Sequence, residues 1–226
     1  MSLSELRLNE VDAQQQSCSH INNNKENKLM ARELTKAEIN QVLELIQSKR
    51  HAKRDKAILL MCLYAGLTIK EVVNLEICQV ISSDGVISEE ITLGDQHTTA
   101  GKERTVYLNK KLRKSLKDYL CERFNTDDLL PILLTDTKRQ LFTTQKSINR
   151  GFTANTLAGH LYDLIEEAGI EQASSFSLRK SFAYMITEKV LSPRFMELID
   201  NADDRYAIAR SIESNPATLR KVVGLI

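Results

Sequence analysis

The run AILLMCLYAGL, Ala57 to Leu67, constrains the fold more than any other stretch of the chain. It is apolar at nearly every position, so it must be covered, yet it falls well short of the roughly 20 residues that cross a bilayer. It is therefore read as a helix from about Arg54 to Tyr64 that ends at Gly66 and sits in the core of a soluble protein. At 226 residues the chain has room for one good core and little more. The polar N-terminus carries no apolar segment of the secretory kind, and the expected location is the cytoplasm, with nucleoid association if DNA is bound.

The elements on either side follow from periodicity. Residues 1–30 include DAQQQSCSHINNNKENK, which has almost nothing apolar to offset the entropy of ordering, and are expected to form a flexible polar tail. Order is expected to begin at LTKAEINQVLELI, where Thr35 and Glu38 have capping-box spacing and Ile39, Val42, Leu43 and Ile46 share a face. A short helix from about Ile69 to Leu75 turns Val72 and Leu75 inward. From GVISEEITL to KERTVYLN the period shortens towards two, and GDQHTTAG between them has turn chemistry, which predicts a hairpin.

Helices resume with Leu112, Leu116, Tyr119 and Leu120, then with Leu157, Ala158, Leu161, Leu164, Ile165 and Ala168, ending before Gly169. SLRKSFAYMITEKV, SPRFMELIDN, DDRYAIARSI and NPATLRKVV predict further short helices, with Ser, Asp or Asn at their starts. The expected fold is α+β and mostly helical, a bundle with one small antiparallel sheet over residues 31–226.

Four segments in this order resemble the catalytic domain of the tyrosine recombinase, or phage integrase, family: LTKAEINQVLELI, RDKAILLMCLYAGLTIKEVVNL, TAGKERTVYL and FSLRKSFA. The resemblance runs from about Leu34 to Leu225. It implies the recombinase catalytic-domain fold, without the separate N-terminal core-binding domain that many members use to close around DNA. It also implies strand exchange through a phosphotyrosine, in which two arginines hold the scissile phosphate, a hairpin lysine and histidines manage protons, and a tyrosine attacks.

This chain departs from that set. Thr68 stands where the first arginine belongs, Thr99 where the lysine belongs and Phe176 where a histidine belongs, the last expected to pack into the core. Arg179 keeps the second arginine, as a remnant phosphate clamp or as half of an ion pair with a carboxylate such as Glu71. At the C-terminus SIESNPATLRKVVGL places Glu213 at the second histidine and Lys221 near the tyrosine, whereas a competing register through DDRYAIA offers Tyr206 as nucleophile. Arg179, Lys102 and Tyr206 are thus the remnant catalytic candidates.

The resemblance implies a catalytically inactive DNA-binding protein of mobile-element biology, with an accessory or regulatory role. The alternatives are a protein-interaction scaffold that has lost DNA, and an active recombinase with displaced groups. Formal net charge is +1, so distribution must decide whether a polyanion binds. Lys102, Arg104, Lys110, Lys111, Arg113 and Lys114 gather around the hairpin and the following helix. With Arg179 and Lys180 they are the expected contacts to double-stranded DNA, and Lys117 lies on the same helix.

The partner could also be a second copy or another recombinase-like protein. No membrane partner is expected. Cys18, Cys62, Cys78 and Cys121 form no CxxC pair, and His20, His51, His97 and His160 have no ligand at useful spacing. Reduced thiols, no metal and no cofactor are expected.

Overall fold

A computed structural model of the chain describes residues 31–98, 101–135, 138–144, 150–192, 194, 196 and 202–226. The polar stretch 1–30, Thr99 at the hairpin tip and most of SPRFMELIDN lie outside the described residues.

Helix α1, Lys36–Gln47, starts at the Thr35–Glu38 capping box and buries Ile39, Val42 and Ile46. Arg32 pairs with Glu38 ahead of the helix and, by hydrogen bonding to it, brings that carboxyl down to about 2. Helix α2, Ala52–Tyr64, begins one turn earlier than the apolar run and is buried continuously from Ala57 to Leu63. A helix apolar all round needs neighbours all round. Here they are α1, the helix α5, Lys110–Phe124, and the helix α8, Ser175–Val190.

After α2 come two short helices, α3, Ile69–Asn74, and α4, Ile77–Val80, the second of which the periodicity does not reveal. Strands β1, Glu90–Leu93, and β2, Arg104–Tyr107, pair antiparallel with Ile91 opposite Val106 and Leu93 opposite Arg104. Because successive side chains alternate between faces, Arg104 shares the inward face with Ile91, Leu93 and Val106. Next come α5, α6, Leu130–Thr135, and α7, Ala154–Glu167. Asn109 caps α5 by accepting the Leu112 N–H at 2.9 Å, and Thr153 caps α7.

Helices α9, Ala202–Glu213, and α10, Pro216–Val223, close the chain on α8. They form a second apolar cluster, in which Phe182 and Ile186 of α8 meet Ala209, Ile212, Leu219, Val222 and Val223, with Tyr107 of β2 at its edge. The fold is α+β and mostly helical with a small antiparallel sheet, as expected. No helix among the described residues is long and apolar enough to cross a membrane.

Candidate functional site

The resemblance points to the place where the end of α2, the start of α3, β2, the first turns of α8 and the end of α9 meet. Gly66, at φ +63°, turns the chain out of α2, and the Leu67 N–H donates to the Met61 carbonyl at 3.2 Å. Thr68 then caps α3: its hydroxyl accepts the Glu71 N–H at 3.3 Å while the Glu71 carboxylate accepts the Thr68 N–H at 2.7 Å. The residue standing where an arginine would reach into the site is thus tied to its own backbone.

Glu71 is 2% exposed and faces Arg104, whose Nε and Nη2 donate to its two oxygens at 3.1 and 2.8 Å. Burial pushes the Glu71 carboxyl up, but the Arg104 guanidinium and the Thr68 cap outweigh it and hold the group below the usual carboxylate range. Arg104 Nη2 also reaches the Gly66 carbonyl at 3.3 Å. The same carbonyl accepts a short hydrogen bond from Arg179 Nη1.

On its other side Arg179 meets α9. Its Nη2 donates to both carboxylate oxygens of Glu213, at 2.8 and 2.6 Å, and its guanidinium lies 5.3 Å from the centre of the Phe182 ring. The site is therefore a chain of contacts, Glu71 to Arg104 to the Gly66 carbonyl to Arg179 to Glu213, in which two cations meet two anions. Arg179 forms an ion pair, as one of the two expected readings has it, but with Glu213 rather than Glu71. Arg104 has taken Glu71, because strand alternation turns it inward within reach of α3.

Tyr206 stands seven residues before Glu213 on α9, two turns away and on nearly the same face. It is half-buried, and burial raises its hydroxyl above the ordinary tyrosine value, while Arg179 nearby lowers it less and Glu213 raises it further. Under the floor, burial pushes the Cys62 thiol up to about 12, so that group stays neutral.

Phe176 does not pack into the core. It is 38% exposed on the first turn of α8, because that helix starts at Ser175 and turns Leu178 and Phe182 inward instead. Lys221 lies on the exposed face of α10, opposite the buried Leu219, Val222 and Val223. The position after Gly-Leu, the retained Arg179 and the position of the second histidine, Glu213, do come together.

The basic residues singled out for DNA divide into two sets. Arg104 and Arg179 are engaged as above, Lys111 donates to the Ile226 backbone oxygen at 2.9 Å, Arg113 pairs with Glu89 at 3.0 Å and Lys180 donates to the Ala31 carbonyl. Lys102, Lys110 and Lys114 are exposed, and none makes an ion pair with a described residue. Lys117 extends the Lys110 and Lys114 stripe along α5. The Thr98 hydroxyl bridges the Lys102 N–H at 3.1 Å and the Lys102 carbonyl at 2.9 Å, so the backbone below the Lys102 side chain is pinned.

One pair was missed in the sequence. His160 Nε2 lies 3.1 Å from the Asp55 carboxylate, which also pairs with Arg54 at 2.8 Å. Among the described residues no three His, Cys, Asp or Glu side chains gather as metal ligands.

Comparison with known proteins gives a consistent picture. The sequence model of the phage integrase family matches residues 32–201. Transposase A from transposon Tn554 of Staphylococcus aureus is 28% identical over 103 residues, covering 44% of this chain and 27% of the transposase. Tyrosine recombinase XerA of Pyrococcus furiosus is 27% identical over 188 residues, covering 83% of this chain and 59% of XerA. The chain thus spans well under two thirds of the length of these relatives.

Among solved structures, a XerA recombinase superposes with a TM-score of 0.56 at 24% identity, covering 84% of this chain and 62% of that one. The Tn1549 transposon integrase in complex with transposon right end DNA gives 0.51 at 16% identity, covering 82% and 66%. These superpositions speak for the fold.

Proposed function

The chain belongs to the phage integrase family, and from that premise we propose that it is a catalytically inactive member that acts by binding duplex DNA in the transactions of a mobile element. The observation that carries the inactive part of this reading is the contact between Arg179 and Glu213. A guanidinium that holds a scissile phosphate must offer its donors to the non-bridging oxygens. Here Nη1 is spent on the Gly66 carbonyl and Nη2 on a carboxylate that occupies the place of an anionic ligand.

The second guanidinium of the site, on Arg104, is likewise closed by Glu71. Thr68 supplies no charge, and the raised Tyr206 hydroxyl makes a poor nucleophile. Losing one preorganised donor costs about two to three orders of magnitude in rate, and several are missing here.

DNA contact in this reading rests on the exposed Lys102, Lys110 and Lys114, in a family whose named members include a transposase and a recombinase. Contacts of lysine to phosphate position a protein without reading bases. Duplex binding should then be largely indifferent to sequence. It should weaken with salt, with a logarithmic slope of about 0.9 per phosphate neutralised.

A gel-shift series at several salt concentrations tests this. Replacing Lys102, Lys110 and Lys114 by alanine should lower both affinity and slope, and replacing Lys36 and Lys189 should change neither. A nicked suicide duplex should give no denaturation-resistant adduct. An adduct that disappears in Tyr206→Phe would return the chain to the active recombinases. Absence of binding to any duplex at low salt would leave the fold as a protein-interaction scaffold, a reading supported by how many of its cations are already engaged.

The closed clamp makes a further prediction. In Glu213→Gln the amide cannot neutralise Arg179, so the guanidinium becomes available to a phosphate. Duplex affinity at low salt should rise about tenfold, the worth of one charge-assisted hydrogen bond. The gain should vanish in the double variant Arg179→Ala with Glu213→Gln. A rise that survives removal of Arg179 would mean that Glu213 acted only as a repelling charge.

A further inference from the structure

A cleft of about 440 Å³ opens on the side of the fold where the start of α5 faces the end of α10. Its charged side chains are unequal in sign: Lys110, Lys111, Arg113 and Arg220 line it with one carboxylate side chain, Glu89, and Lys111 also donates to the Ile226 oxygen in the same wall. That carboxylate is shared, 3.0 Å from Arg113 and 3.4 Å from Arg220, and so cannot neutralise the group. Helix α5 is fifteen residues long and points its N-terminus at the cleft. The N–H groups of its first residues, Lys110 and Lys111, have no acceptor inside the helix.

A second observation is independent of the helix end. Asn109, also in the cleft wall, is 7% exposed. Its Oδ1 is occupied by the Leu112 N–H, and Nδ2 has no hydrogen-bond partner among the described residues. Nε of Arg113, which also lines the cleft, is likewise buried without a partner among the described residues. Unpartnered buried donors are rare in folded proteins and each carries a desolvation cost that an acceptor would relieve. Unpartnered donors, an excess of cationic over anionic side chains and a helix N-terminus together select a ligand that offers several anionic oxygens.

We propose that this cleft binds a compact phosphate-bearing anion, seated over the N-terminus of α5 between Asn109, Lys110, Lys111, Arg113 and Arg220. The phosphate can belong to a free small molecule or to a nucleic-acid backbone, since the same donors suit both. The site is separate from Arg179 and does not require the chain to be inactive.

Isothermal titration of pyrophosphate into the full chain at low ionic strength tests the site. Saturable binding is expected. Asn109→Asp should weaken it at least about tenfold while leaving the urea midpoint unchanged, because aspartate caps a helix as well as asparagine but replaces the free donor by an anion. Arg220→Ala should weaken it as well, and Lys221→Ala, one residue on and outside the cleft, should not. The same variants in the duplex gel shift identify the source. Loss of pyrophosphate binding alone assigns a small molecule, and loss of duplex affinity assigns a backbone phosphate. If neither probe responds to Asn109→Asp and Arg220→Ala, the proposal is wrong, whatever the Lys102 and Lys114 variants do to DNA binding.

Discussion

Gly66→Val should destabilise the domain by about 2 to 5 kcal/mol, the sum of backbone strain and overpacking. Gly66 has φ +63°, a region that β-branched residues enter only at a cost. A Cβ there would lie 2.2 Å from Arg179 Nη1 and 2.3 Å from the Phe182 ring. Arg179 can swing away, but Phe182 is buried in the cluster of α8, α9 and α10. Gly101 supplies the control, since it has the same φ of +63° and a Cβ added there would meet nothing within 4 Å. Gly101→Val should therefore show the strain alone, about 1 to 2 kcal/mol. Urea midpoints for the two variants separate strain from close approach, and equal losses would refute the clash at Gly66.

The second large effect is expected at Asp55→Ala. Asp55 is 2% exposed and Arg54 5%, and between them stands an ion pair at 2.8 Å with His160 on the same carboxylate oxygen. Removing the anion leaves a buried guanidinium with, among the described residues, the Thr143 carbonyl at 3.4 Å and the face of Phe152 at 5.2 Å. Breaking a buried pair from one side costs about 3 to 5 kcal/mol, while replacing both partners by apolar groups is often nearly neutral. Arg54→Met with Asp55→Leu should accordingly be more stable than Asp55→Ala alone. A double variant no better than the single one would show that the pair is not the source of the loss.

The same carboxylate gives a pH signature. Burial raises Asp55, but His160 and Arg54 outweigh it and the net displacement is downward. A carboxyl lowered in the folded state stabilises above its unfolded value of about 3.9 and loses that contribution as pH falls further. The stability difference between the wild type and Asp55→Asn should therefore narrow on acidification below about pH 4.

What could be read from the sequence was whatever depends on residues a few positions apart. The apolar run of α2, the Thr35–Glu38 box, the cap at Thr68 and the strand-turn-strand period each follow from local spacing, and each stands in the structure. The inward turn of Arg104 was also within reach, since two residues along β2 it shares a face with Val106. The expected DNA contacts passed over that alternation in favour of charge alone.

Other features came only with the tertiary structure. Arg104 and Glu71 are 33 residues apart and Arg179 and Glu213 are 34, and several other carboxylates had equal claim on either guanidinium in the sequence. Which acid closes which arginine depends on the packing of α9 against α8 and on β2 bringing Arg104 within reach of Glu71 on α3. The exposure of Phe176 and the gathering of cations around Asn109 depend on the same packing. An ion pair forms only where backbones bring two heads within about 4 Å, and that distance is set by the core, not by the charges themselves.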